Sequence, residues 1–373
     1  MTEKERVIRT VLAQPTDRVP FIVPFGPWGE TLRRWQSEGM PKDADFQELA
    51  QADCVFQFVE GVNLGLCPAF EPRVLEHRGN KNLVVDSFGI TQLVATDHDT
   101  IPQYLDYPVK DWDSWMQVKE RWQKETPERF SLAAEEFAQK NCSERNLIQL
   151  GWYPYGLFGT ARDLIGVEDL LLDFYDQPEL LVDIMDTLTD LWLSLYEKVC
   201  AVVKVDCIHI WEDMSGKSGP LISPAMMEEF LVPRYRKIRD FCDAHAIPIL
   251  SLDTDGDCSL MIPPLLKGGI NLLYPFEVAA GSDLVAIKQQ YPTAFCAMGG
   301  IDKRPIALSE YEIDKELERI QPSLEYPAVI PALDHLFHPE ISYHNFLYFC
   351  KRLKKLCEES RPTRWAPCEK TVG

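Results

Sequence analysis

Residues 207–252 read CIHIWEDMSGKSGPLISPAMMEEFLVPRYRKIRDFCDAHAIPILSL, and the fold turns on this stretch. The apolar run Cys207 to Trp211 gives way to a polar loop and then to a helical pattern that Ser223 can cap, with Pro224 in its first turn. A second apolar run, Ile247 to Leu252, follows at once. A short apolar run, a helix and another short apolar run are the signature of a βα unit on a parallel sheet.

The pattern repeats toward the C-terminus. A short helix stopped by Gly268 and Gly269 leads to the run Ile270 to Pro275, and Ser282 is placed to open the helix SDLVAIKQQY. Ala294 to Met298 precedes the helix LSEYEIDKELERI, and Ala328 to Ala332 precedes a last helix, SYHNFLYFCKRLKKL, which Ser342 can cap. Upstream, Val19 to Val23, Val55 to Phe58 and Leu147 to Leu150 complete a set of eight strands. The predicted fold class is therefore α/β, a (β/α)8 TIM barrel with an N-terminal helical extension, as one domain over residues 1–360. Between the second and third strands lies an insertion. Within it NLVVDSFGITQLVA is two alternating stretches hinged near Ser87 and Gly89, which predicts a hairpin. Residues 111–140 read as helical, and residues 361–373, without periodicity, as a loose tail.

Composition narrows the function. A formal charge of −20 speaks against nucleic acid as a partner, because phosphate binding needs a surplus of Lys and Arg on one face. No run approaches the ~18 apolar residues of a membrane span, and the start MTEKERVIRT lacks an apolar signal segment, so a cytoplasmic protein is expected. The 11 cysteines form no CxxC pair and read as buried reduced thiols. Dinucleotide, P-loop, zincin and α/β-hydrolase motifs are missing from the sequence.

A barrel builds its site from the C-terminal ends of its strands. Here those ends carry Trp152 and Tyr153, then Glu212 and Asp213, Asp253 and Asp255, Glu277, Asp302 with Lys303 and Arg304, and Asp334 with His335. Any one of these acids could be a helix cap. As a set they predict an acidic mouth. In LDTDGDC, Asp253 and Asp255 point the same way if the strand continues, and Gly256 permits a tight turn. Such a pair can hold a hard cation, or keep one member protonated as an acid. Glu212, Asp253, Asp255 and His335 are the catalytic candidates, and Trp152, Tyr153 and Asp334 the substrate-binding ones. His209 is placed in a structural layer.

Several segments, taken together and in order, resemble the uroporphyrinogen decarboxylase superfamily: TDRVPF, ARDLIGVEDLLLDFYDQPELL, IWEDM, GPLISPAMMEEFLVPRYRKI, NLLYPFEVAAGSDL, GGIDKR, IPALDH and ISYHNF. The resemblance runs from Thr16 to Leu353. It implies the same barrel and two kinds of enzyme. True uroporphyrinogen decarboxylases carry an arginine-rich segment after the first strand, where this chain has PFGPWGE and no arginine before Arg33. An anionic tetrapyrrole is therefore not expected. The other kind is the cobamide-dependent methyltransferases, among them methylcobamide:coenzyme M methyltransferases and O-demethylase methyltransferases. Coenzyme M enzymes hold zinc with a His-x-Cys pair and a later Cys. Here Asp253-x-Asp255 and the Asp334–His335 region stand in those places, which implies a substrate that reacts at oxygen rather than sulfur.

The expectation from the resemblance is an O-demethylase methyltransferase. It would move a methyl group from a small methoxylated aromatic to the cobalt(I) of cobalamin on a separate corrinoid protein. The acidic cluster would serve either as a proton donor network or as a zinc site of Glu212, Asp253 and His335. A homodimer is compatible with it. A non-porphyrin decarboxylase using Lys303 and Arg304, a methylcobamide:thiol methyltransferase, and a non-catalytic binding protein stay open beside it.

Overall fold

The computed structural model describes residues 1–98, 100–123, 126–131, 136–137 and 146–364. Strand β1 (Val55–Phe58) is followed by an inserted antiparallel sheet of β2 (Arg73–Arg78), β3 (Lys81–Val85), β4 (Thr91–Ala95) and β5 (Gln103–Asp106). The main sheet continues with β6 (Asn146–Leu150) and β7 (Cys207–Trp211). After a small hairpin, β8 (Ser215–Gly216) and β9 (Gly219–Pro220), it resumes with β10 (Ile249–Asp253), β11 (Leu272–Tyr274), β12 (Cys296–Ile301) and β13 (Val329–Leu333). The seven main strands pair in parallel in the order β1-β6-β7-β10-β11-β12-β13, with helices between them. This is an α/β barrel of the TIM type.

The first expected strand, Val19 to Val23, takes its place in the wall but forms no ladder. Pro20 and Pro24 offer no N–H. The N–H of Phe21 goes to the Asp53 carboxylate at 2.8 Å, and that of Val19 to the carbonyl of Ser360 at 3.3 Å. The Asp53 N–H still reaches Phe21 O at 2.9 Å, and Pro27 bridges Phe337 in parallel, so the segment spans the gap between β13 and β1. Two prolines and a competing carboxylate have replaced a ladder with anchored extended chain.

Strand alternation sorts the core into layers. Ile208, Ile210, Leu250 and Leu252 pack outward with the helices, while Cys207, Ile249, Leu272, Cys296, Met298, Ile330 and Ala332 fill the barrel. Val7 and Val11, from the helix Glu3–Val11, join that inner cluster and close the lower end. At ~1.5–3 kcal/mol per buried aliphatic side chain, these two layers supply the main drive to fold.

Helix ends follow the sequence reading with one exception. Ser223 and Ser342 cap as expected, accepting from Met226 N and Asn345 N, and Gly269 at φ +89 ends the helix Ile262–Gly268. The helix expected to open at Ser282 instead starts after Asp283, whose carboxylate accepts from the N–H groups of Val285 and Ala286. The Ser282 hydroxyl is buried without a partner. A carboxylate is the stronger acceptor at a positive helix end.

The expected hairpin is the β3–β4 pair, enlarged by β2 and β5 to a four-stranded sheet. Of residues 111–140, Trp112–Lys119 is α-helical, and Glu120–Trp122 and Pro127–Arg129 are short 3-10 turns. Residues 124–125, 132–135 and 138–140 lie outside the described ones. In the expected tail, Thr363 and Arg364 donate their N–H groups to Glu325 O at 2.8 Å, and residues 365–373 lie outside the described ones. The described cysteines are all free. Among the described residues no helix is long and apolar enough to cross a membrane.

Candidate active site

At the top of β10 the chain turns its polar side chains inward in a defined way. Asp253 continues the inward row of Ile249 and Ser251, and its register partner on β11 is Tyr274. Thr254 faces the other way and is fixed: its N–H meets Tyr274 O at 3.1 Å, and its hydroxyl accepts from Met214 N at 3.0 Å. Gly256 sits at φ +77, where a Cβ would come 2.7 Å from the carbonyls of Ser215 and Gly216, and its N–H donates to Glu277 Oε2 at 3.2 Å. Only glycine fits that turn. Asp255, between these anchors, is held toward the rim, with its Oδ2 3.7 Å from His335 Nε2.

The rim has more acid than base. Burial, and then the charges of Asp255 and Asp213, hold the Asp253 carboxyl well above the usual carboxylate range. Burial pushes Asp255 up to about 7, with Asp213 and Glu277 raising it further and Lys303 opposing them. Asp334 rises to about 6 through burial, against the N–H groups of Val278 and Lys303 that its oxygens accept at 2.9 and 3.2 Å. His335 falls to about 4 through burial and the nearby Lys303 charge. At neutral pH His335 is therefore uncharged, and its 3.7 Å approach to Asp255 is neither an ion pair nor a hydrogen bond. No hydrogen bond to a described residue engages the Asp253 carboxyl.

The sequence candidates separate accordingly. Asp253, Asp255, Asp334 and His335 come together on one rim. Glu212 does not join them, which corrects its reading as a catalytic or metal-binding residue. Cys207, His209 and Trp211 are the inward residues of β7, so Glu212 points outward. There it caps the helix Leu157–Ile165, accepting from the N–H groups of Leu157, Phe158 and Gly159 at 3.1, 2.6 and 3.0 Å and from the Tyr235 hydroxyl at 2.6 Å. Burial pushes it up to about 7, while these donors favour its anion. Its oxygens are occupied.

With Glu212 removed the expected zinc set fails. Among the described residues no group of three His, Cys, Asp or Glu side chains converges as a metal site. The remaining Asp253 and His335 do not by themselves make a zinc centre.

His209 lies in the barrel interior as expected, its Nδ1 3.0 Å from Ser251 Oγ and 3.1 Å from the Tyr274 hydroxyl. Trp152 packs against the core beside Tyr155 and Phe58. Tyr153 stands on the rim, 66% exposed, with its ring edge-on to Trp211 at 4.7 Å. Arg304 is spent on Asp302 through Nε and Nη2, and Lys303 Nζ lies 3.7 Å from Glu277.

Sequence reasoning missed the aromatic lining. Phe25 stacks on His335 at 6.2 Å and 23° and stands 5.9 Å from the Tyr274 ring, and Trp211, the register partner of Asp253, packs its ring against Tyr153, Arg162 and Gly159. Alternation along CIHIW would have found Trp211. Phe25, in a segment without a ladder, gives no periodic signal. A recess of about 460 Å³ lies at the opposite end of the barrel, lined by Leu12, Arg239, Cys242, Ala246 and Asn271. Its Arg239 pairs with Asp243 at 2.7 Å, and among the described residues no acid–imidazole cluster lines it.

Comparison with solved structures places the architecture. A methyltransferase from Methanosarcina mazei superposes with a TM-score of 0.60 at 15% identity, covering 95% of this chain and 99% of its own. The likeness carries the fold. A B12-independent methionine synthase from a Shewanella species, in complex with selenomethionine, matches at a TM-score of 0.43 and 11% identity, covering 91% of this chain and 98% of its own. No protein-family model and no curated protein matches the chain.

Proposed function

We propose that the protein is a methyltransferase that cleaves the methyl–oxygen bond of a small methoxylated ring and passes the methyl group to the reduced corrinoid of a separate protein. The observation that carries this reading is Asp253: a carboxyl drawn into the mouth, without a hydrogen-bond partner among the described residues, and held by burial well above the usual carboxylate range. A protonated acid in a low-dielectric site is what a departing aryl oxide needs.

In the proposed reaction the acceptor, a second substrate, takes the methyl carbon as the carbon–oxygen bond breaks. The electron pair stays on oxygen, which takes the Asp253 proton, and a phenol leaves. Asp255 and neutral His335 lie beside Asp253 and can return a proton from solvent. The rings of Phe25 and Tyr274 suit a flat substrate. No step is assigned to zinc.

A decarboxylase would need a convergent cation pair for a carboxylate, and Arg304 is turned onto Asp302 instead. A thiol-activating site would need thiolate ligands. The test is to mix purified protein with a methoxylated arene, a corrinoid protein and a reductant. Methylcobalamin and a phenol in equal amounts support the reading, and carbon dioxide released without any cobalamin overturns it.

A further inference from the structure

The acids of the rim do not all have partners. Asp213 is paired with Arg162 at 2.8 Å, Glu277 accepts from Gly256 N and faces Lys303, and Asp334 is satisfied by backbone N–H groups. Asp253 and Asp255 are left. The protein's own cations near them are committed, Lys303 toward Glu277 and Arg304 to Asp302. The mouth thus holds more carboxyl groups than cations, and burial with mutual repulsion keeps Asp253 and Asp255 above the usual carboxylate range while Lys303 opposes them at Asp255.

One gap is shaped for something. Asp255 Oδ2 and His335 Nε2 stand 3.7 Å apart, too far to bond each other, yet a single donor nitrogen between them could reach both. In the tautomer with its proton on Nδ1 the neutral imidazole accepts at Nε2, and Asp255, which titrates at about 7, accepts at both oxygens once it has released its proton. The Phe25 ring stands beside His335, with centroids 6.2 Å apart and planes 23° from parallel, so an aromatic wall borders the imidazole. A carboxylate, an acceptor nitrogen and an aromatic face together make a seat for an organic cation.

The geometry points to a substrate that carries an ammonium group, seated between the Asp255 carboxylate, the His335 imidazole and the Phe25 ring. This rests on the mouth being the substrate site, as proposed above, and narrows its occupant from a methoxylated ring to an aminated one. A metal ion fits the gap less well, since a third ligand is missing among the described residues. Seating a cation there also divides the labour of the two carboxyls. It draws Asp255 into its ionised form as an anchor, while Asp253, farther from the charge, keeps its proton for the leaving oxygen. A ring bearing a carboxylate meets like charge instead and is excluded.

The test is calorimetric binding to the protein alone, without acceptor, of a methoxylated phenylethylamine, the corresponding phenylethanol and the corresponding phenylacetate. The amine is expected to bind at least about tenfold more tightly than the alcohol, and the acid about tenfold more weakly or not at all. The preference should shrink as ionic strength rises, a reading on the unaltered protein. Asp255→Asn, checked for folding by its thermal transition, should bring amine and alcohol to within about threefold of each other. The inference is overturned if the alcohol or the acid binds as tightly as the amine, or if Asp255→Asn keeps the amine preference. Binding of all the rings without regard to charge defeats only this inference. Failure of every ring to bind defeats the proposed function with it.

Discussion

The Asp255 carboxyl and the His335 imidazole face each other across 3.7 Å, each pushed by its surroundings toward the uncharged form. Their contributions to stability run in opposite directions with pH. Asp255 titrates near 7 in the fold but near 4 when unfolded, so between those values the folded state holds the extra proton and stability falls as pH rises. His335 titrates near 4 in the fold and near 6.5 unfolded, so between about 4 and 6.5 stability rises with pH. Thermal midpoints of Asp255→Asn from pH 4 to 7 should climb more steeply than those of the wild-type protein. Parallel curves would remove the raised Asp255 pKa from the account.

Asp253→Asn should slow methyl transfer by about 100-fold or more, the usual cost of losing a positioned general acid. The same change should leave the thermal midpoint unchanged or raise it, because it removes an unpaired carboxyl from beside Asp255 and Asp213. Single-turnover rates and a melting curve on one preparation read both. A variant that keeps its rate excludes Asp253 as the donor.

Glu212→Ala should cost about 2–4 kcal/mol in denaturant unfolding, because it strands the N–H groups of Leu157, Phe158 and Gly159 and the Tyr235 hydroxyl in the interior. Metal analysis of the wild-type protein and the variant should give the same zinc content. A stoichiometric zinc lost with Glu212 would restore the metal reading.

Gly256→Ala should destabilise the fold by about 1–3 kcal/mol, the cost of an L side chain at φ +77 pressed on the Gly216 carbonyl. It should also weaken binding of the amine substrate, since the displaced turn carries Asp255. Denaturation and calorimetry check the two effects separately.

Much of the barrel was legible because its strands are short apolar runs punctuated by caps. Cys207 to Trp211 and Val55 to Phe58 are reproduced residue for residue. The run Ile247 to Leu252 begins two residues late, at Ile249, because Pro248 cannot donate to a ladder. The site was legible only where alternation was followed to its end. Asp253 inherits its direction from Ile249 and Ser251. Glu212 was misplaced because the polarity of the loop outweighed the simple fact that Trp211, one residue earlier, already faces inward. The gap between Asp255 and His335 joins β10 to the turn after β13, and no local pattern encodes a distance between segments so far apart in sequence.

The helix Glu3–Val11 stoppers the lower end of the barrel with Val7 and Val11. Among the described residues the barrel is therefore a cul-de-sac, so in the proposed reaction substrate and product share the upper doorway. Were the proposed corrinoid carrier to cover that doorway, the small ring would have to be inside before the carrier arrived and could leave only after it stepped back. The proposed transfer thus implies a queue, with the small guest first in and last out.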